Sequence, residues 1–130
     1  MIFADASALI AMIAGEDDAD TLANLMEADA GGLCSAISTW ETATGLRRSY
    51  AFSIPAAGEL VGRFLKRFGF RYVEVGEREF HLATDAYARY GKGRHRAALN
   101  MGDCFAYACA KASGAKLLYK GEDFSKTDLA

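Results

Sequence analysis

The fold follows from the stretch Leu99-Asn-Met-Gly-Asp-Cys-Phe-Ala-Tyr-Ala-Cys-Ala110. It is apolar on nearly every face, and a helix of this kind belongs in a protein core. Asn100 is suited to cap its first turn, so that Asp103 lies inside that turn, close to free backbone N–H groups. The stretch therefore predicts a buried helix that begins with a half-buried carboxylate. By itself Asp103 is explained by the helix dipole, so its significance depends on where the other acidic residues lie.

The composition is typical of one folded domain. The chain has 130 residues, 52% of them hydrophobic, with a single proline and a formal net charge of −2. This is enough apolar material for a hydrophobic core. Because the chain has no overall basic character, contact with a nucleic acid would have to come from a local patch.

The cysteines and the first residues indicate where in the cell the protein is expected. Cys34, Cys104 and Cys109 lie in apolar segments without CxxC spacing, which is typical of buried thiols in a reducing cytosol. Their spacing to His81 and His95 does not indicate a zinc site. The first residues lack the pattern of a signal peptide, and no apolar run is long enough to span a membrane. We therefore expect a cytoplasmic protein.

Short apolar runs alternate with helical patterns, which predicts an α/β domain with a mainly parallel sheet. The predicted strands cover residues 2–4, 33–37, 71–75 and 116–120. The predicted helices cover residues 8–12, 17–29, 38–50, 54–68, 80–90 and 100–110. Ser38 is expected to cap the third helix.

Four acidic residues fall at the same edge of this predicted sheet. Asp5 and Asp123 follow strand ends, and Glu41 lies in the first turn of the helix after the second strand. Asp103 begins the helix that returns to the fourth strand. Because crossover helices run antiparallel to the strands, we expect all four carboxylates at the carboxyl edge, where open α/β sheets bind ligands. Each has another explanation, as an N-cap, a solvated helix position or a turn residue. Their common position favours a site for a hard cation such as Mg²⁺ or Mn²⁺.

Motifs along the whole chain carry a resemblance to a known family. They are Asp5-Ala-Ser-Ala-Leu9, Glu41, Leu99-Asn-Met-Gly-Asp-Cys-Phe-Ala-Tyr-Ala108 and Lys120-Gly-Glu-Asp-Phe-Ser-Lys-Thr-Asp128. In this order and spacing they resemble the PIN-domain ribonucleases of the VapC toxin type. The resemblance implies one PIN-like nuclease domain over residues 1–130, with a mainly parallel sheet of four to five strands flanked by helices. It also implies a metal-dependent endoribonuclease with an antitoxin partner that blocks its site.

The same resemblance implies the residues of the site. The catalytic and metal-binding positions correspond to Asp5, Glu41, Asp103 and Asp123. Ser7 and Asn100 are expected to orient these carboxylates without binding the metal themselves. The role of Asp128 stays open, because its direction is unreadable so close to the end of the sequence.

The predicted reaction is hydrolysis of RNA phosphodiester bonds, with one or two Mg²⁺ ions, or Mn²⁺, activating water. A protein nucleophile is then unnecessary, and neither histidine adjoins a serine or cysteine as a catalytic triad would suggest. Several cationic side chains have two interpretations. They are solvated surface charges, or they bind RNA phosphates near the four acidic residues. They are Arg47, Arg48, Arg94, His95 and Arg96.

Other functions fit parts of the pattern. A phospho-receiver signalling module also gathers acids and a lysine at strand ends, but it needs adjacent early acids, whereas Asp5 stands alone and Asp17-Asp18 follow a helix. A phosphatase with an aspartyl nucleophile needs Asp-x-Asp after the first strand, where this chain has Asp5-Ala-Ser7. A catalytically silent PIN-like binding domain is disfavoured by the complete acidic quartet.

Two amphipathic helices point to a protein partner. Helices 17–29 and 56–68 carry more apolar side chains than a small sheet requires, namely Leu22, Leu25, Met26, Leu60, Val61, Phe64 and Leu65. We expect part of this surface to remain open as a groove for an amphipathic antitoxin helix. Alternatively, both helices pack on the sheet or in a homodimer. The expected assembly is a homodimer or a toxin–antitoxin hetero-oligomer.

Overall fold

A four-stranded parallel sheet forms the centre of the protein. The computed structural model describes residues 1–29 and 31–130. The strands in this part of the chain are β1 (Ile2–Ala4), β2 (Gly32–Cys34), β3 (Arg71–Tyr72) and β4 (Lys116–Leu118). They are ordered β3-β2-β1-β4, and all three neighbouring pairs are parallel. The predicted α/β class with a mainly parallel sheet is confirmed.

Six helices cover the two faces of the sheet in the described residues. They are α1 (Ala6–Ala14), α2 (Ala19–Glu27), α3 (Ala36–Tyr50), α4 (Ile54–Arg67), α5 (Glu77–Tyr90) and α6 (Met101–Ser113). None of these described helices is long and apolar enough to cross a membrane.

Strand side chains alternate between two hydrophobic clusters, one on each face of the sheet. Phe3 and Leu33 pack with α5 and α6, whereas Ile2, Ala4 and Cys34 pack with α1, α2, α3 and α4. This alternation follows from the two-residue period of a strand, and burial on both faces is typical of parallel sheets. The α6 helix is buried along most of its length, as its apolar sequence predicts.

The second predicted strand extends too far along the chain. Residues Ala36 and Ile37 belong to α3, and the cap of this helix is Ser35 rather than Ser38. The Ser35 hydroxyl oxygen accepts from the Ser38 N–H, and the Ser38 hydroxyl oxygen accepts from the Ser35 N–H. This reciprocal capping stabilises a helix start earlier than the apolar run suggests, and it places Glu41 in the second turn rather than the first.

The predicted strands 71–75 and 116–120 are longer than the strands observed. β3 contains two residues at the edge of the sheet, both exposed, and β4 ends at Leu118. Helix α2 begins at Ala19 and ends at Glu27, and it is therefore shorter than the predicted 17–29. Sequence periodicity does not fix such boundaries, because strand pairing ends where a neighbouring strand ends.

Candidate functional site

Asp5 lies directly after β1 and caps α1. Its Oδ2 accepts the Ser7 backbone N–H at 3.0 Å and the Ser7 hydroxyl at 2.6 Å. The residue is only 5% exposed. Burial raises the pKa of Asp5, in opposition to the hydrogen bonds from Ser7, and the charge of Asp123 raises it further. The ionised form of Asp5 is therefore energetically unfavourable in this position unless a positive charge lies nearby.

Asp103 lies in the first turn of α6, where the sequence places it. Its carboxylate accepts the Asn100 backbone N–H at 3.1 Å, and the Asn100 side-chain oxygen accepts the Asp103 N–H at 2.9 Å. The expected capping by Asn100 is therefore confirmed. Burial raises the pKa of Asp103 to about 6, with further contributions from the charges of Asp5 and Asp123.

Glu41 projects from the second turn of α3 towards the start of α6. Its carboxyl group lies against Gly102, in the space that a side chain at position 102 would fill. Burial raises the pKa of Glu41 to about 7, and the charges of Asp5 and Asp103 add to this, whereas Arg48 lowers it. Gly102 is a residue that the sequence reasoning did not single out, because its role depends on contact between two separate helices.

Asp123 completes the group from the turn after β4. It is exposed, but the next residue, Phe124, is buried and fixes the turn to the core. Its charge acts on both Asp5 and Asp103, so it lies close to them. The structure thus brings the four predicted site residues to the carboxyl edge of the sheet.

The acidic group is suited to a hard cation. The four side chains that meet there offer only carboxylate oxygens, and burial and mutual repulsion oppose the ionised forms of Asp5, Glu41 and Asp103. A divalent cation would relieve both effects, and oxygen ligands favour Mg²⁺ or Mn²⁺. Within residues 1–29 and 31–130, no three Asp, Glu, His or Cys side chains stand in ready metal-binding geometry. This is compatible with Mg²⁺, which keeps several waters and needs only one or two direct carboxylate ligands.

Asp128 lies apart from the four acidic residues. Its Oδ1 accepts the Tyr107 hydroxyl at 2.6 Å, and its Oδ2 accepts from Lys111 Nζ at 2.5 Å. These partners lie further along α6 than Asp103. Asp128, whose role the sequence leaves open, therefore connects the segment after β4 with α6.

Two of the predicted basic features, Arg48 and the loop 91–96, lie near the acidic residues. Arg48 is exposed, and its charge acts on Glu41. The basic loop 91–96 is closed by hydrogen bonds between Lys92 N and Leu99 O (3.0 Å) and between Leu99 N and Tyr90 O (2.9 Å). The loop therefore stands beside the start of α6, where exposed cations are available to a polyanion. Contact with RNA stays a prediction for these residues.

The three cysteines are unsuited to nucleophilic catalysis. Burial raises the pKa of Cys34 to about 12 and those of Cys104 and Cys109 to about 11, so the thiols are protonated at neutral pH. His95 Nδ1 accepts the Ala97 N–H at 3.0 Å, which is a local turn contact. The four acidic residues therefore remain the candidate catalytic groups.

An apolar groove of ≈ 700 Å³ lies between α2 and α4. Met26, Leu60 and Phe64 line it, as predicted, together with Met12, Ile13 and Phe68. Of the other residues in the predicted set, Leu22, Val61 and Leu65 are buried in the core, and Leu25 is 52% exposed and is not among the residues that line the groove. The groove reaches Gly32 at the start of β2, at the opposite end of this strand from the acidic residues.

Comparison with known proteins gives a consistent result. Residues 2–129 match the family described as PIN domain. The chain is 46% identical over 126 residues to ribonuclease VapC30 of Mycobacterium tuberculosis, covering 97% of this chain and 94% of that protein. It is 44% identical over 126 residues to ribonuclease VapC of Mycolicibacterium smegmatis, covering 97% and 95% of the two chains. Among solved structures it resembles VapC20 of M. tuberculosis, a sarcin–ricin loop cleaving toxin, with a TM-score of 0.72 and 20% identity, covering 96% of this chain and 93% of that one.

Proposed function

The chain belongs to the PIN-domain family and within it to the VapC ribonucleases, and we propose that it is an endoribonuclease toxin whose acidic site hydrolyses RNA phosphodiester bonds. Its proposed metal-binding and catalytic residues are Asp5, Glu41, Asp103 and Asp123. The proposed cofactor is Mg²⁺, with Mn²⁺ as a substitute. We place its action in the cytoplasm, where RNA is available.

The raised pKa values of three buried carboxyl groups are the main support for this proposal. Asp5, Glu41 and Asp103 are each buried enough to raise their pKa, and each feels the charge of at least one other member of the group. A fold that merely needed soluble side chains at this edge would not hold three acids together at an energetic disadvantage. The arrangement is explained when the group binds a cation.

The residues divide the work at this site. When bound, a divalent cation supplies positive charge to the scissile phosphate and activates water for attack. Asp5 and Asp103 hold fixed orientations through Ser7 and Asn100, so their oxygens are aligned before the substrate arrives. Asp123 is exposed and therefore accessible to RNA, and we propose that the basic loop beside the start of α6 binds the flanking phosphates.

The expected antitoxin fits the groove between α2 and α4. Arg63 and Arg67 of α4 and Asp20 and Glu27 of α2 line the groove together with its apolar residues, so a complementary helix would carry acids on one side and bases on the other. The groove and the acidic site lie at opposite ends of β2, a strand of three residues. We propose that an antitoxin helix occupies the groove and that a basic side chain of the same antitoxin extends to the acidic site.

The direct test is cleavage of total RNA by the purified protein with Mg²⁺, with Mn²⁺ or with a chelator. We expect cleavage with either metal and none with the chelator. Asp103→Asn, purified in the same way, should be inactive and excludes a contaminating nuclease. Metal-independent cleavage would contradict the proposed site, and folded protein that never cleaves RNA would leave a binding domain as the explanation.

A further inference from the structure

Lys120 joins parts of the molecule that are distant in sequence. Its Nζ donates to Glu16 Oε1 at 2.6 Å and lies 3.3 Å from Asp18 Oδ1, in the segment between α1 and α2. The Tyr50 hydroxyl at the end of α3 donates to Oε2 of the same Glu16. Hydrogen bonds from Lys120 and Tyr50 lower the pKa of Glu16, so the ion pair is charged at neutral pH. The side chain of Lys120 is therefore held by a charged network.

The main chain of Lys120 reaches the acidic site. Its backbone N–H donates to Ser7 Oγ at 3.0 Å, and the Ser7 hydroxyl donates to Asp5 Oδ2 at 2.6 Å. Two consecutive hydrogen bonds thus connect Lys120 with Asp5. A shift of residue 120 would release the Ser7 hydroxyl from the orientation that serves Asp5.

Lys120 also fixes one end of the turn that carries Asp123. Gly121 has a φ of 92°, which lets the chain turn sharply directly after Lys120. Phe124, 1% exposed and with its ring 5.3 Å from that of Tyr119, fixes the other end. Asp123 is itself exposed, so its place relative to Asp5 depends on these two anchors.

We propose that Lys120 is a positioning residue of the acidic site, and this inference rests on the proposed function. Its ion pairs with Glu16 and Asp18 hold the turn so that Ser7 orients Asp5 and Asp123 stays close to Asp5. The Lys120 ammonium group does not act on the cation or on RNA directly, because it is already paired with two carboxylates.

Mn²⁺ binding measured by isothermal titration calorimetry tests the proposal. Lys120→Met should raise the Mn²⁺ dissociation constant ~10-fold, the loss typical of residues that orient metal ligands. Glu16→Gln should give a similar loss, and the double variant should lose little more, because both substitutions break the same ion pair. Lys120→Arg should recover most of the affinity. Cleavage by Lys120→Met should return when Mn²⁺ is raised to saturation.

Lys111→Met is the matched control. The Lys111 side chain is 36% exposed and pairs with Asp128, whereas that of Lys120 is 39% exposed. Wild-type affinity in Lys120→Met, or an equal loss in Lys111→Met, would overturn the positioning role while the proposed function stands. Should Lys120→Met not fold, Glu16→Gln carries the same test. A wild type that neither binds Mn²⁺ nor cleaves RNA would overturn the proposed function and this inference together.

Discussion

The Glu41 carboxyl group occupies the space beside Gly102 that any larger residue would need for its side chain. Glu41 belongs to α3 and Gly102 to α6, and these helices cover opposite faces of the sheet. Their contact at the carboxyl edge brings an acid from one layer beside Asp103 of the other. The absence of a side chain at position 102 is therefore a condition for the observed acidic group.

Gly102→Ala should impair the site without damaging the fold. The added methyl group would overlap the end of a flexible side chain, so the Glu41 carboxyl group would move away while α6 remains intact. Alanine is also the better helix former, by up to about 1 kcal/mol. We expect weaker cleavage and an unchanged or higher melting temperature.

Gly62→Ala provides the control for this prediction. Gly62 lies within α4, and a methyl group added there meets no atom within 4 Å. This variant should gain stability and keep full activity. Full activity in Gly102→Ala would show that the position of Glu41 is not needed for catalysis.

Asp103→Asn should separate function from stability. The asparagine keeps an acceptor for the Asn100 N–H but removes a charge whose pKa is raised by burial to about 6. At pH 7 a carboxyl group with a pKa of about 6 is mostly ionised and its buried charge destabilises the folded state, so the metal-free variant should be more stable than the wild type by up to about 3 kcal/mol. Urea unfolding in the presence of a chelator measures this difference, and an RNA cleavage assay should show loss of activity.

Asp85→Asn is the corresponding control on an exposed helix position. Asp85 pairs with Arg89 at 3.6 Å on the surface of α5. Its replacement should bring no gain in stability and no loss of activity. An Asp103→Asn protein that unfolds would instead identify Asp103 as a structural residue.

The sequence predicts which acidic residues lie at the carboxyl edge of the sheet better than it predicts the contacts that position them there. Asp5 and Asp103 are found from strand ends and helix caps, which are local signals. Gly102 and Lys120 are missed, because their roles arise from contacts between elements that are far apart in sequence. The cap of α3 is misplaced for a related reason, since Ser35 and Ser38 fit the same local pattern and only the reciprocal hydrogen bonds decide between them.

The metal-free protein should lose stability as the pH rises from about 4 to about 7. Burial raises the pKa of Glu41 from 4.5 to about 7 and that of Asp103 from 3.8 to about 6. In this range the folded state binds more protons than the unfolded state, so the free energy of unfolding falls with increasing pH. Melting temperatures measured across this range with a chelator should show the decline.

Mg²⁺ should counteract this decline, because we propose that it binds the ionised carboxylates of the folded state. The stabilisation by Mg²⁺ should grow as the pH rises through about 6 and about 7. The variant with Asp5, Glu41, Asp103 and Asp123 all changed to their amides should show neither effect. A Mg²⁺ response that persists in this variant would place the ion elsewhere.

The groove between α2 and α4 should bind the antitoxin independently of the acidic site. Leu60 lines the groove, so Leu60→Glu would place a charge among its apolar residues and should prevent copurification with the antitoxin. RNA cleavage by the isolated protein should be unchanged, because the groove lies at the far end of β2 from the acids. Leu25→Glu is the matched control, since Leu25 is 52% exposed on α2 and is not among the residues that line the groove. It should retain the antitoxin. If both variants copurify with the antitoxin as the wild type does, the antitoxin binds another surface, and the acidic site itself becomes the first place to look for it.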